Sequence, residues 1–189
     1  MRRRAIALAS IIAVVFGVIA GAILAHRSDT LDAHLTTPGR AAEPAGIKPV
    51  AKADGKSLPA GEFLTLRGAT ASFDGLKGKP AVINMWAESC VPCVTEMPAF
   101  ESVHKDIGDK VAIIGMNASD GIEVAKAFAA KVGVTYDLWL DNKGAAQAAL
   151  GVTVLPTTIF VSPEGKVVKT SFGALSAAKL KATITELFG

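Results

Sequence analysis

Two cysteines stand three positions apart in "WAESCVPC", Cys90 and Cys93, and no other cysteine occurs in the 189-residue chain. Several chemistries use paired thiols. A structural zinc site takes four ligands; two cysteines supply half, and two of the three histidines, His26 and His34, fall in a low-complexity stretch far from the pair. A purely structural cross-link gains with the length of the loop it closes, and this loop is minimal. Two thiolates can also bind a soft ion such as Cu(I). The remaining chemistry is thiol–disulfide exchange. "PAVINMWA" (80–87) reads as a buried strand, and a helical run follows to about Ile107. That junction sets Cys90 at a helix N-terminus, where free N–H groups and the helix dipole favour thiolate. Cys93 lies one helical turn on. Pro92 lacks an N–H, which the first turn does not need.

The elements around the pair alternate. "EFLTLRG" and "TASF" read as an opening pair of strands, and "KVAIIGMNA" (110–118) as a second buried strand. "GIEVAKAFAAKVG" (121–133) reads as a helix closed by Gly133, with Asp120 placed to cap its start. "YDLWLD" is extended and "KGAAQAALG" a short helix. "TTIFVS" and "KVVKTSF", joined by "PEG", form a hairpin, and "SAAKLKATITELF" a final helix with Ser176 as N-cap. The pattern predicts an α/β fold: a mixed central sheet flanked by helices, with an N-terminal hairpin extension.

Before this domain, expected over 57–189, the composition changes. Ala5 to Ala25 form an apolar run broken only by Ser10, after three arginines. As a helix it spans about 31 Å, enough for a bilayer core. Arginines on its amino side favour keeping that end in the cytoplasm. Residues 1–25 therefore read as a membrane anchor or a signal sequence; the length favours an uncleaved anchor. Residues 26–56, rich in Ala, Pro, Gly and charge, read as a flexible extracytoplasmic tether. Residues 1–56 carry eight Lys/Arg against four Asp/Glu, and residues 57–189 twelve against thirteen. No clustered basic patch marks a nucleic-acid surface.

"VINMWAESCVPCVTEMP", followed about 60 residues later by "GVTVLPTTIFVSPEGKVV", resembles the thioredoxin superfamily, and within it the membrane-anchored TlpA/ResA-like branch. The resemblance covers residues 57–189. It implies a thioredoxin fold, a redox-active Cys90–Cys93 disulfide with no other cofactor or metal, attack by Cys90 and resolution by Cys93. Pro156 would be a cis-proline beside the disulfide, presenting the Leu155 backbone to a partner, with Pro92 also on the substrate face. It implies a single-pass protein of the bacterial cell membrane with its catalytic domain on the periplasmic or cell-surface side. That domain, a monomer, would reduce disulfides of extracytoplasmic proteins and be recharged by a membrane thiol-transfer protein. Branch substrates include apocytochrome c, in cytochrome c maturation, and copper-site proteins. An acidic residue often follows the cis-proline in the cytochrome-specific relatives; Thr157 and Thr158 follow here. A copper-binding thiol module and a disulfide-forming oxidant are the alternatives. A peroxiredoxin-type site would want Thr or Ser three residues before its cysteine, where this chain has Ala87.

Glu96 shares a helical stripe with Phe100, Val103 and Ile107, which places a carboxylate in line with the apolar face. It is expected to be partly buried, with its pKa raised by desolvation, and to exchange a proton with Cys93. Asn84 stands where thioredoxin has a buried aspartate, and Trp86 is expected to pack beneath the site. His104 is expected at the surface. Ser89 replaces the family's usual aromatic residue before the first cysteine, and Glu88 adds a negative charge nearby.

Overall fold

A computed structural model describes residues 55–189. The expected anchor (1–25) and all but the last two residues of the expected tether (26–56) lie outside them. Seven strands form one mixed sheet. In chain order they are β1 (Glu62–Thr65), β2 (Thr70–Ser72), β3 (Ala81–Trp86), β4 (Ala112–Asn117), β5 (Asp137–Leu140), β6 (Thr157–Val161) and β7 (Val167–Phe172). Their spatial order is β2-β1-β5-β4-β3-β6-β7. The helices are α1 (Val91–Ile107), α2 (Ile122–Val132), α3 (Ala145–Leu150) and α4 (Ala177–Phe188). β3, β4 and β5 run parallel, while β6 and the β1–β2 hairpin are antiparallel to their neighbours. This is the mixed sheet flanked by helices, with its N-terminal hairpin, that the sequence pattern predicts.

β3 shows how the sequence divides the core. All six of its residues are buried, as a central strand covered on both faces requires. Side chains alternate between faces. Val82 and Trp86 join one apolar cluster with Met97, Phe100 and Val103 of α1, Phe128 of α2 and Leu180 of α4. Ala81, Ile83 and Met85 join the other, with Phe63, Trp139 and Leu150. Each fully buried side chain of this size contributes about 1.5–3 kcal/mol. Asn84 has the same parity as Val82 and Trp86, so a polar amide on β3 is aimed at α1. Trp86 stacks on Phe128 at a centroid distance of 5.3 Å. Gly115, beside Asn84 in the sheet, leaves the room this needs: a Cβ there would lie 2.4 Å from the Leu138 side chain and 3.0 Å from the Trp86 indole nitrogen.

The helix ends follow the expected signals. Ser176 Oγ accepts the N–H of Lys179, and Gly133 closes α2 in the left-handed conformation with φ 71°. Pro98 does not break α1, which runs unbroken to Ile107. Proline there withholds an N–H from the Val94 carbonyl. Val94 and Pro98 are both exposed, so the freed carbonyl lies on the solvent side. The ordered edge starts slightly earlier than Ser57: Gly55 N–H donates to Val167 O and Val167 N–H to Lys56 O, alongside β7.

Candidate active site

β3 ends at Trp86, and a three-residue loop, Ala87–Ser89, delivers the chain to α1. Cys90 is the N-cap residue, in extended conformation, with Val91 and Pro92 in the first turn. The Cys90 N–H donates to Ala87 O at 3.1 Å, and the Cys93 N–H to Cys90 O at 3.0 Å. The two sulfurs are bonded to each other, with Cα atoms 5.4 Å apart. Their exposure differs: 8 % for Cys90, none for Cys93. A partner sulfur approaching from solvent can meet only Cys90. Cys93 can react only with what Cys90 brings, or with groups inside the protein. Glu88, Ser89, Val91 and Pro92 are exposed around the pair, Val91 by 80 %.

Glu96 is one of those interior groups. It is 1 % exposed, one turn beyond Cys93 on the same helix, where side chains three apart are neighbours with Cβ atoms about 5–6 Å apart. Oε2 accepts from the Asn84 amide at 2.8 Å, and Oε1 accepts from the Leu175 N–H at 2.8 Å. Burial penalises the charged carboxylate more than these two neutral donors repay, so its pKa is raised above the ordinary value. Asn84 is fully buried, and its Oδ1 has no partner. The amide is thus more than a generic strand residue: it is bonded to the acid that faces the site.

The third part is the β6 entrance. The Leu155–Pro156 peptide is cis. Pro156 is buried and Leu155 half-buried. Thr157 pairs with Met85 in the sheet, which sets Pro156 level with Trp86, at the end of β3 from which the cysteine loop leaves. Thr157 Oγ1 donates to Val154 O at 2.6 Å and fastens the turn, and Gly173 N–H donates to Pro156 O at 2.9 Å. Val154, two residues before Pro156, is 48 % exposed. With Val91, Val154 gives this end of the domain an apolar rim.

Other residues take less expected places. Trp86 packs beneath the site, fully buried. His104 is half-buried rather than at the surface: its ring lies 6.1 Å from Tyr136, and its Nδ1 has no partner. Asp120 does not cap α2. Gly121 is the N-cap, and the Asp120 carboxylate turns toward the cysteine loop instead. Two site contacts were missed from sequence. The Leu175 N–H lies 79 positions from Glu96, on a loop with no local signal. Asn117 ends β4 opposite Trp86, and only the polar "NASD" after a buried strand hinted at it. Among the described residues, no group of three or more His, Cys, Asp or Glu could hold a metal ion, and no helix is long and apolar enough to cross a membrane.

A thioredoxin fold with a bonded C-x-x-C pair at the end of its central strand defines a thiol–disulfide exchange site. The chain belongs to the AhpC/TSA family, whose profile matches residues 54–170, and to the TlpA/ResA-like branch of the thioredoxin superfamily. It is 31 % identical to the thioredoxin-like protein YneN of Bacillus subtilis over 137 residues, 71 % of this chain and 80 % of that one. It is 29 % identical to the thiol-disulfide oxidoreductase ResA of Bacillus subtilis over 128 residues, 67 % of this chain and 72 % of that one. Among solved structures, MTB dsbF in mixed oxidised and reduced forms superposes with a TM-score of 0.63 at 30 % identity, over 68 % of this chain and 95 % of that one. The protein is a thiol–disulfide oxidoreductase.

Proposed function

We propose that the enzyme reduces disulfides of extracytoplasmic partner proteins, and that the carrying observation is the burial contrast between Cys90 and Cys93 with Glu96 behind them. The reduced Cys90 thiolate attacks one sulfur of the partner disulfide. A Cys90–partner bond forms, and the other partner sulfur leaves as thiolate with the electron pair. The Cys93 thiol, sealed from solvent, gives its proton to Glu96 directly or through a water, and its sulfur attacks Cys90. The partner leaves reduced and the Cys90–Cys93 disulfide forms. The raised proton affinity of Glu96 brings it closer to that of a thiol, which suits it to take this proton and to return it on re-reduction.

Recharging requires a dithiol donor of two electrons, and a membrane thiol-transfer protein supplies it in this reading. Residues 1–25 hold the domain at the bacterial membrane, with 26–56 as tether, so that donor and substrate meet it on the extracytoplasmic side. The domain works as a monomer with no cofactor beyond its own disulfide. The partner lies as an extended segment along Leu155 and Pro156, over the apolar rim of Val91 and Val154, with Pro92 at its edge. Serine at position 89 takes a flat apolar surface from that face, so the partner's contact shifts onto the rim. Apocytochrome c and copper-site proteins are the substrate classes to compare, and buried Thr157 and Thr158 leave no charge at the turn to favour the former.

The test is trapping with Cys93→Ser. Its Cys90 can attack but not be released, so a mixed disulfide with the physiological partner accumulates, and Cys90→Ser accumulates none. Absence of any trapped species with Cys93→Ser, with the domain folded, overturns the reading. Insulin-disulfide reduction by the wild type, with Cu(I) titration beside it, separates the enzyme from a copper-binding module.

A further inference from the structure

Asp120 stands where a helix cap is expected, yet it serves the cysteine loop. Its Oδ2 accepts the N–H of Glu88 at 2.6 Å and the Nδ2 amide of Asn117 at 2.7 Å. Asn117 Oδ1 accepts in return the N–H groups of Asp120 at 2.7 Å and Ser119 at 3.2 Å. Asn117 is buried and fixed opposite Trp86 by the sheet register. A carboxylate is therefore held in one orientation against the loop that feeds Cys90. A neutral oxygen would accept the same two donors. What the carboxylate adds is charge.

The charges facing Cys90 can be counted. The first turn of α1 has no acidic residue, and the Val152–Thr157 turn has no ionisable one. Glu96 lies on the Cys93 side. The Glu88 side chain is exposed and lines a shallow cleft together with Lys131 of α2. Asp120 makes no ion pair among the described residues. It is the fixed negative charge of the loop, opposing the positive end of α1.

We propose that Asp120 is a positioning residue for Cys90: it clamps the Glu88 N–H and holds a negative charge there, which keeps Cys90 a reluctant leaving group and biases the pair toward donating electrons. In the oxidising direction, a second partner thiolate attacks the partner sulfur of the mixed disulfide, and Cys90 must leave as thiolate with the bonding pair. The clamp opposes that step. In the reducing direction Cys90 attacks, and a thiolate of higher proton affinity is the stronger nucleophile. The proposal rests on the reductase reading and supplies a structural cause for its direction.

Asp120→Asn keeps an oxygen for both donors and removes the charge. In reduced full-length protein, the pH dependence of Cys90 alkylation should shift down by about half a unit to one unit, a three- to tenfold gain in thiolate below the midpoint. The shift should shrink at high salt. Above that midpoint, the glutathione equilibrium should move toward reduced enzyme by the same factor. Asp120→Ala should show the same shift and, with the loop unclamped, slower insulin reduction. An unchanged Cys90 midpoint in folded Asp120→Asn overturns the proposal, while insulin reduction by the wild type separately upholds or sinks the oxidoreductase reading.

Discussion

Helix α1 carries two buried glutamates five residues apart, Glu96 and Glu101, 1 % and 5 % exposed. Five residues turn the helix by about 500°, so they face directions about 140° apart. Glu96 looks toward β3 and meets two neutral donors, from Asn84 and Leu175. Glu101 looks toward the β5 approach. Its Oε2 accepts the Thr135 N–H at 2.7 Å, its Oε1 accepts the Thr135 hydroxyl at 2.7 Å, and Lys105 Nζ lies 3.1 Å from Oε1. Burial raises both proton affinities. At Glu101 the Thr135 bonds and the Lys105 charge outweigh it and hold the pKa below the ordinary value; at Glu96 no cation offsets it. One carboxylate is locked in charge to tie a loop to the helix. The other is left able to change charge beside Cys93. Burial alone does not make an acid functional; what balances the burial decides.

The largest effect should come from breaking the locked acid. Glu101→Ala leaves the Thr135 N–H and hydroxyl without their acceptor, at a cost of about 2–4 kcal/mol in urea unfolding. The lowered pKa makes Glu101 stabilising above its unfolded value, and that contribution is lost as pH falls through the folded value. The variant should therefore lose the acid limb of the stability curve, with the pH profile of thiol exchange unmoved. A moved profile would break the contrast.

Asn84→Asp should erase the contrast from the other side. It places a second carboxyl within hydrogen-bond reach of Glu96, and two such groups share one proton. The pair should titrate upward, and the domain should lose about 1–3 kcal/mol as pH rises past neutral. The phenol of Tyr136, pushed well up by burial and then by the charges of Glu96 and Glu101, stays neutral throughout.

Glu96→Gln keeps the shape and removes the proton acceptor. Exchange should slow about tenfold, near 1.4 kcal/mol in barrier, with its pH dependence flattened. The stability sign is opposite to that of Glu101. A raised pKa means the Glu96 contribution is intact below the unfolded value and lost as pH rises through the folded value. The glutamine variant should escape that alkaline loss. An unchanged pH–rate profile would remove Glu96 from the proton path.

The contrast also marks what sequence could show. Glu96 was legible because its spacing to Phe100 and Val103 put it on the buried stripe, and Asn84 only through the family resemblance, as the residue where thioredoxin has a buried aspartate. Glu101 was not: its burial comes from Thr135, 34 positions away, in a connection with no pattern. The strands, helices and hairpin were legible because period and turn residues are local signals. Asp120 misled for the same reason. A short acidic residue before a helix locally signals a cap, while its actual donor, the Glu88 N–H, comes from 32 positions earlier, in the loop that follows β3.

The smallest effect tests whether the Lys105 charge matters to the locked state. Lys105 is 64 % exposed, so its pair with Glu101 is screened by solvent. Lys105→Ala should cost only about 0.2–1 kcal/mol, and less at high salt. Glu101 should remain charged at neutral pH, because both part-buried Thr135 hydrogen bonds remain in the variant. Comparing the acid limb of unfolding in Lys105→Ala with that in Thr135→Val separates the two contributions. If the lysine variant moves that limb further than the threonine variant, then a surface cation, rather than the Thr135 donors, distinguishes Glu101 from Glu96.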